Sequence, residues 1–163
     1  MVRIGIISDT HDRVLPSLFE ALAGVAEILH AGDVCHADVL AEIGTIAPVV
    51  AVRGNCDGWE LASRLPEERR LMREGVVIRL VHGHRPGGVD FERIAAHYGG
   101  AGGEVERPDL VVFGHTHEPL GVARGSTRFF NPGTAGGVGR APTAGILSID
   151  HGTWKLEHVA LRR

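Results

Sequence analysis

Val2-Arg3-Ile4-Gly5-Ile6-Ile7-Ser8-Asp9-Thr10-His11 is a short β-rich apolar run that breaks into Ser-Asp-Thr-His. Such a run reads as a buried strand opening into a loop. Val14, Leu15, Leu18, Phe19, Leu22 and Val25 then recur at helical spacing, which predicts a helix over Val14–Val25. Glu27–His30 reads as a second strand, closed by Ala-Gly-Asp. Ala37–Ile46 reads as a second helix, with Val39, Leu40 and Ile43 on its inner face. Val49–Val52 reads as a third strand, ending in Arg-Gly-Asn-Cys-Asp. This β-α-β-α-β order implies parallel strands joined by right-handed crossovers.

Beyond that point the pattern changes. Arg69–Arg73 and Val76–Val81 flank Glu74-Gly75 as a hairpin. A helix over Val89–Tyr98 precedes a Gly-rich loop and the buried strand Leu110–Phe113. Leu120–Ala123 and Thr127–Phe130 form a hairpin around Gly125, and Gly145–Ile149 pairs with Trp154–Val159 across His151-Gly152. The expected class is α/β with antiparallel additions, two sheets face to face and helices outside.

A chain of 163 residues is expected to form a single domain over 1–163, on a prior of roughly 100–200 residues per domain. With 44% hydrophobic and 23% charged residues, disorder and a fibrous class are excluded. Seventeen basic residues against 20 acidic ones, for a net charge of −3, argue against a dedicated nucleic-acid-binding surface. The longest apolar run, Ile43–Val52, is far short of the ~20 residues that span a bilayer. Asp9 cuts off the N-terminal apolar run, so no secretory signal is expected. The two cysteines exclude a disulfide framework. A cytoplasmic location is the expectation.

Ligands of open α/β sheets sit beyond the carboxyl ends of the strands. Here those ends carry Asp9-Thr10-His11, Gly32-Asp33, Gly54-Asn55-Cys56-Asp57, His82-Gly83-His84 and Gly114-His115-Thr116-His117. Residues i and i+2 on an extended backbone project to one side, so Asp9 with His11, and His115 with His117, are each expected to offer two donors to one site. A single Asp-x-His is weak. Five strand ends bearing His, Asp or Asn are not, because buried polar groups need partners.

In their order along the chain these blocks resemble the calcineurin-like metallophosphoesterase family, and in particular its compact bacterial and archaeal phosphodiesterases. Asn131-Pro132-Gly133-Thr134 also resembles a turn of the compact members. The resemblance implies a four-layer α/β/β/α sandwich of two mixed sheets, without a cap domain. It implies a phosphodiesterase with two divalent ions, a bridging hydroxide as nucleophile and no protein nucleophile. Carried over, Asp9, His11 and His117 would hold one ion, Asn55, His82 and His115 the other, and Asp33 would bridge them. Such mixed N/O donors suit Mn first, with Fe, Ni or Zn as alternatives. Many relatives carry His after the Asn of the third block, where it assists the leaving group. Cys56 stands there in this chain, a departure that implies diesters with good leaving groups over monoesters.

Several residues have two readings. His84 contacts substrate phosphate or makes a structural hydrogen bond. Asp12 and Asp57 orient histidines as carboxylates behind the ligands, or they cap loops. Cys35 and Cys56 act behind the ligands, form a redox-sensitive pair, or are reduced thiols. Arg85 aims at phosphate or is coincidental, His36 rims the pocket or has no part in it, and His30 is a strand-end core residue. A monoesterase, and a protein-interaction scaffold like the retromer subunit of this fold, are the competing functions. The His-x-His-x-Asp-His zinc hydrolases find no support, since Glu118-Pro119 follows His117. The expected partners are a small phosphodiester and further copies of the chain.

Overall fold

The computed structural model describes residues 1–85, 87, 90–100 and 107–163. Alternation along the first strand sets the layers. In β1 (Val2–Ile7), Ile4 and Ile6 face one way and Ile7 the other, and all three are fully buried. A strand buried on both faces needs a layer on each side.

On one side of β1 the chain lays down α1 (Pro16–Ala21), then β2 (Glu27–His30), α2 (Ala37–Ile43), β3 (Val49–Ala51) and α3 (Trp59–Arg64). It continues with β4 (Glu68–Arg73), β5 (Val76–Val81), α4 (Phe91–Tyr98), β6 (Leu110–Val112), β7 (Leu120–Arg124), β8 (Thr127–Asn131), β9 (Thr143–Asp150) and β10 (Thr153–Ala160). The first sheet has the order β10-β9-β1-β2-β3 and the second β4-β5-β6-β8-β7. Each is mixed. β1, β2 and β3 run parallel, as do β5, β6 and β8, while the hairpin strands lie antiparallel beside them.

Three apolar layers hold these elements together. Ile4, Ile6, Leu29 and Leu147 of the first sheet pack against Ile78, Leu80, Leu110, Val112 and Phe130 of the second. Leu18 of α1 and Val39 and Ile43 of α2 cover the outer face of the first sheet over Ile7 and Ile28. Ile94 and Tyr98 of α4 cover the second over Val111, Phe113 and Phe129. The result is the expected α/β/β/α arrangement. Arg73 of β4 also pairs with both carboxylate oxygens of Glu27 on β2, which ties the sheets at their edge.

The helices are shorter than the apolar spacing predicts. α1 begins at Pro16, whose missing N–H suits a first turn, and it ends at Ala21 although Leu15 and Val25 are also buried. Apolar spacing reports the buried face, and here the flanking turns share that face. α2 ends before Gly44 and not at Ile46. α3 was not expected at all, for it buries only Leu61. α4 starts at Phe91, with Asp90 capping the amide of Glu92. Val89 and residues 101–106 of the Gly-rich loop lie outside the described residues. The β4–β5 hairpin turns as expected at Glu74-Gly75, both with positive φ, the conformation that matches strand twist in two-residue turns. Among the described residues no helix is long and apolar enough to cross a membrane.

Candidate metal centre

The loops leaving β1, β2, β3, β5 and β6 meet at one edge of the sandwich. Their backbones are not extended. Asp9, His11, Asp33, His115 and His117 all have φ between 44° and 68°, in the left-handed region. The i, i+2 argument therefore fails for these residues. The side chains converge because the loops curl, and non-glycine residues hold such conformations only when their surroundings enforce it. The β1 loop is enforced by main-chain bonds that continue the β1–β2 pairing: Asp9 N to Gly32 O at 3.0 Å, and His11 N to Asp33 O at 3.1 Å. Thr134 adds a bond from Oγ1 to the Asp9 carbonyl at 2.8 Å, and Asn131 Nδ2 bonds the Gly114 carbonyl at 2.8 Å.

Two glycines allow the approach. A Cβ on Gly54 would lie 2.1 Å from Asp33 Oδ1, and one on Gly114 would lie 1.9 Å from Ser8 Oγ. Neither has room to form, so the β3 and β6 exits can press against the β2 and β1 exits only with glycine in place.

Three donor sets overlap in the space this creates. They are Asp9 with His11 and His117, Asp9 with Asp33 and His82, and His11 with Asp33 and Cys56, each with its donor atoms within 4.8 Å of one another. His117 Nε2 lies 3.1 Å from His11 Nε2 and 3.2 Å from Asp9 Oδ1. His82 Nε2 lies 3.1 Å from Asn55 Oδ1 and 3.3 Å from Asp33 Oδ1. Asp33 Oδ2 faces the other way, 3.7 Å from His11 Nε2.

The far nitrogens fix the tautomers. His82 Nδ1 contacts the Ala31 carbonyl at 2.7 Å and His117 Nδ1 the Val138 carbonyl at 3.0 Å. A carbonyl only accepts, so each Nδ1 carries a proton and each Nε2 turns inward. These inner nitrogens face carboxylate and amide oxygens, an arrangement that needs a positive charge between them, either a second proton on the imidazole or a metal ion. Asp9 Oδ1 is buried among them without a hydrogen bond of good geometry. A divalent cation would satisfy such a set, and a backbone acceptor behind each ligating histidine is the usual support.

The electrostatics without a metal reflect the same crowding. Burial pushes the Asp33 carboxyl up, but hydrogen bonds from His82 and Cys56 and the His82 charge outweigh it, holding Asp33 below the carboxylate range. For His82 burial works downward, and Asp33 and Asp9 outweigh it to raise the imidazole. His117 is raised by its contact with Asp9. His115 and His84 are lowered, first by burial and then by the His82 charge.

The remaining expected residues separate here. His115 stands edge-on to His82, with ring centroids 5.2 Å apart, and its amide bonds Asp9 Oδ2 at 3.1 Å. His84 lies beside both rings, with a buried Nδ1 that has no partner, so it makes no structural hydrogen bond through that atom. Among the described residues, Asp12 and Asp57 make no hydrogen bond to the histidines of this cluster. Asp12 pairs with exposed His36 at 2.6 Å. Asp57 accepts the amides of Asp33, Val34, Cys35 and Gly54 at 2.6–3.2 Å. Arg85 is engaged with Glu67 at 3.0 Å. Cys35 and Cys56 are free thiols, pushed by burial and neighbouring carboxylates to about 12 and about 11. Cys56 is itself in a donor set, a closer role than sequence reasoning assigned. The Ala31 and Val138 carbonyls carry no signal in residue type and were missed.

His30 is a strand-end core residue, as expected. Its Nδ1 accepts the Gly32 amide at 3.2 Å, its Nε2 meets Thr10 Oγ1 at 3.1 Å, and burial pushes it down to about 4. A lowered folded value means that the unfolded chain binds the proton first. Stability is then expected to fall as pH drops from about 6.5 toward 4, by up to about 3 kcal/mol from this group. Urea unfolding across that window is expected to show a shallower slope in His30→Gln; an unchanged slope would sink the assignment.

Comparison with known proteins gives the family. The model of the calcineurin-like phosphoesterase superfamily domain matches residues 2–152. A protein named probable metallophosphoesterase from Methanothermobacter thermautotrophicus is 35% identical over 136 residues, covering 80% of this chain and 76% of its own. The solved structure of an archaeal phosphodiesterase superposes with a TM-score of 0.73 at 25% identity, over 97% of this chain and all of that one. Vps29 from Entamoeba histolytica, complexed with Zn²⁺, shares the fold at a TM-score of 0.77 and 24% identity, over 98% of this chain and 99% of its own. With the donor-bearing loops all inside the matched span, the chain belongs to the calcineurin-like phosphoesterase superfamily.

Proposed function

We propose that this chain hydrolyses phosphodiesters at a two-metal centre. In this reading Asp9, His11 and His117 hold one divalent cation, Asn55, His82 and His115 hold the other, and Asp33 lies between them. One observation carries it: the two oxygens of Asp33 address different histidines, Oδ1 toward His82 and Oδ2 toward His11. The mixed N/O donors favour Mn²⁺, with Fe, Ni or Zn as alternatives. Bound divalent cations supply the Lewis acidity that acidifies water and screens phosphate charge.

The chain's own groups do the rest. Asp33 and Asn55 set the spacing of the two halves. His84, its ring 5.4 Å from that of His82 and its pKa lowered by burial, would hydrogen-bond a phosphate oxygen at the edge of the centre. Cys56 stands at the position where the resemblance puts His in many members of the family and Cys in its compact branch, and a thiol at about 11 protonates a leaving group less readily than an imidazolium does. Diesters with good leaving groups are therefore the favoured substrates. The name of the similar archaeal phosphodiesterase supports the same class.

Metal-stripped protein is expected to cleave a chromogenic nitrophenyl phosphodiester only after Mn²⁺ is restored. The matching monoester should turn over at least about tenfold more slowly, a difference of about 1.4 kcal/mol in barrier. Faster monoester cleavage would overturn the reading of Cys56. Bound metal without turnover under Mn, Fe, Ni or Zn would favour a non-catalytic scaffold.

A further inference from the structure

We propose that Cys56 is itself a metal ligand. Its thiol sulfur forms, with an imidazole nitrogen of His11 and a carboxylate oxygen of Asp33, a site for a thiophilic divalent cation of the Zn²⁺ or Cd²⁺ class. This rests on the metal-centre reading above and adds to it a sulfur donor that the N/O assignment lacks.

Three observations support it. The donor atoms of His11, Asp33 and Cys56 lie within 4.8 Å of one another, the same closeness that groups Asp9 with His11 and His117. Cys56 is exposed while Asp33 is 2% exposed, so the sulfur stands on the solvent side, where a cation enters. Asp9 Oδ1, buried without a hydrogen bond and 3.8 Å from His11 Nε2, leaves an unpaired acceptor beside the same imidazole, although Asp9 is not itself grouped with Cys56. A set of one sulfur, one imidazole nitrogen and one carboxylate oxygen, with a position left for water, is of the zinc type, and sulfur shifts preference from hard toward soft cations.

The position of Cys56 is fixed independently of any metal. Its amide donates to Asp33 Oδ1 at 2.8 Å, and Asn55 Nδ2 approaches its sulfur at 3.5 Å. As the sulfur–metal bond forms, the thiol proton passes to solvent. His11 and Asp33 serve both this set and the proposed catalytic one, so the two occupancies compete. Cys35 is the natural control. Its sulfur lies 3.6 Å from His11 Nδ1, yet it joins no donor set among the described residues.

The test titrates the metal-stripped full chain with Cd²⁺, reading the thiolate-to-cadmium charge-transfer absorption and the bound metal by elemental analysis. The band is expected in the wild type and in Cys35→Ser, and it is expected to vanish in Cys56→Ser. Cd²⁺ should bind that variant at least about tenfold more weakly, with Mn²⁺ binding changed by less than about threefold. Cd²⁺ bound to the wild type without the band would overturn the thiol ligand and leave the two-metal reading standing. A band that survives Cys56→Ser and disappears in Cys35→Ser would also overturn it. Failure to bind either Mn²⁺ or Cd²⁺ would overturn both readings.

Discussion

Asp33→Asn is expected to lower metal-dependent diester turnover by about 10³-fold, equivalent to about 4 kcal/mol of barrier, in a chain that still folds. Asn has nearly the same shape and keeps an oxygen for the Cys56 amide, which now meets Asp33 Oδ1 at 2.8 Å. What it loses is the negative charge and the second oxygen. Those are the features that let Asp33 face His82 at 3.3 Å through Oδ1 and His11 at 3.7 Å through Oδ2. Without them the amide NH₂ occupies one of the two directions and repels any cation there. Metal content should drop from two ions per chain to one or none, while the far-ultraviolet circular dichroism is unchanged. Two bound ions and turnover within about tenfold of wild type would show that Asp33 does not bridge.

The residues of the candidate centre stood out in the sequence because they interrupt apolar runs. Asp9, Asp33, Asn55, His82 and His115 each follow a buried strand, and a reader of residue types can see that. The way they converge was not legible. The positive φ of Asp9, His11, Asp33, His115 and His117 is imposed by the packing of one loop on another, so nothing in those residue types announces it. The layers could be anticipated from two-sided burial of strands such as Val76–Val81. The short helix Trp59–Arg64 could not, because only Leu61 turns inward and Trp59 is 86% exposed. Asp57 could be assigned to capping or to orienting a histidine from sequence. The choice between them depends on which amides the neighbouring loop brings to it, a tertiary fact.

That choice leads to the second large effect. Asp57→Ala is expected to destabilise the metal-stripped protein by about 3 kcal/mol, and to weaken metal binding as well. The Asp57 carboxylate accepts four backbone amides: Gly54 at 2.6 Å, Cys35 at 2.7 Å, Val34 at 2.8 Å and Asp33 at 3.2 Å. Hydrogen bonds to a charged group contribute about 1.5–3 kcal/mol each, but they are not additive and water can replace part of this set in a half-buried carboxylate. Losing the carboxylate frees the β2 and β3 exits from one another at Asp33 and Gly54, whose contact holds the Asp33 carboxylate between His82 and His11. Asp57→Asn keeps one acceptor oxygen and should lose about half as much. Asp12→Ala, which removes a carboxylate paired among the described residues with exposed His36, should cost clearly less stability than Asp57→Ala. Urea unfolding of the three metal-stripped variants, followed by Mn²⁺ titration of each, reads both effects. Equal midpoints for Asp57→Ala and Asp12→Ala would mean that the four amides find water as readily as the carboxylate, and that the Asp33 loop is held by its left-handed packing alone.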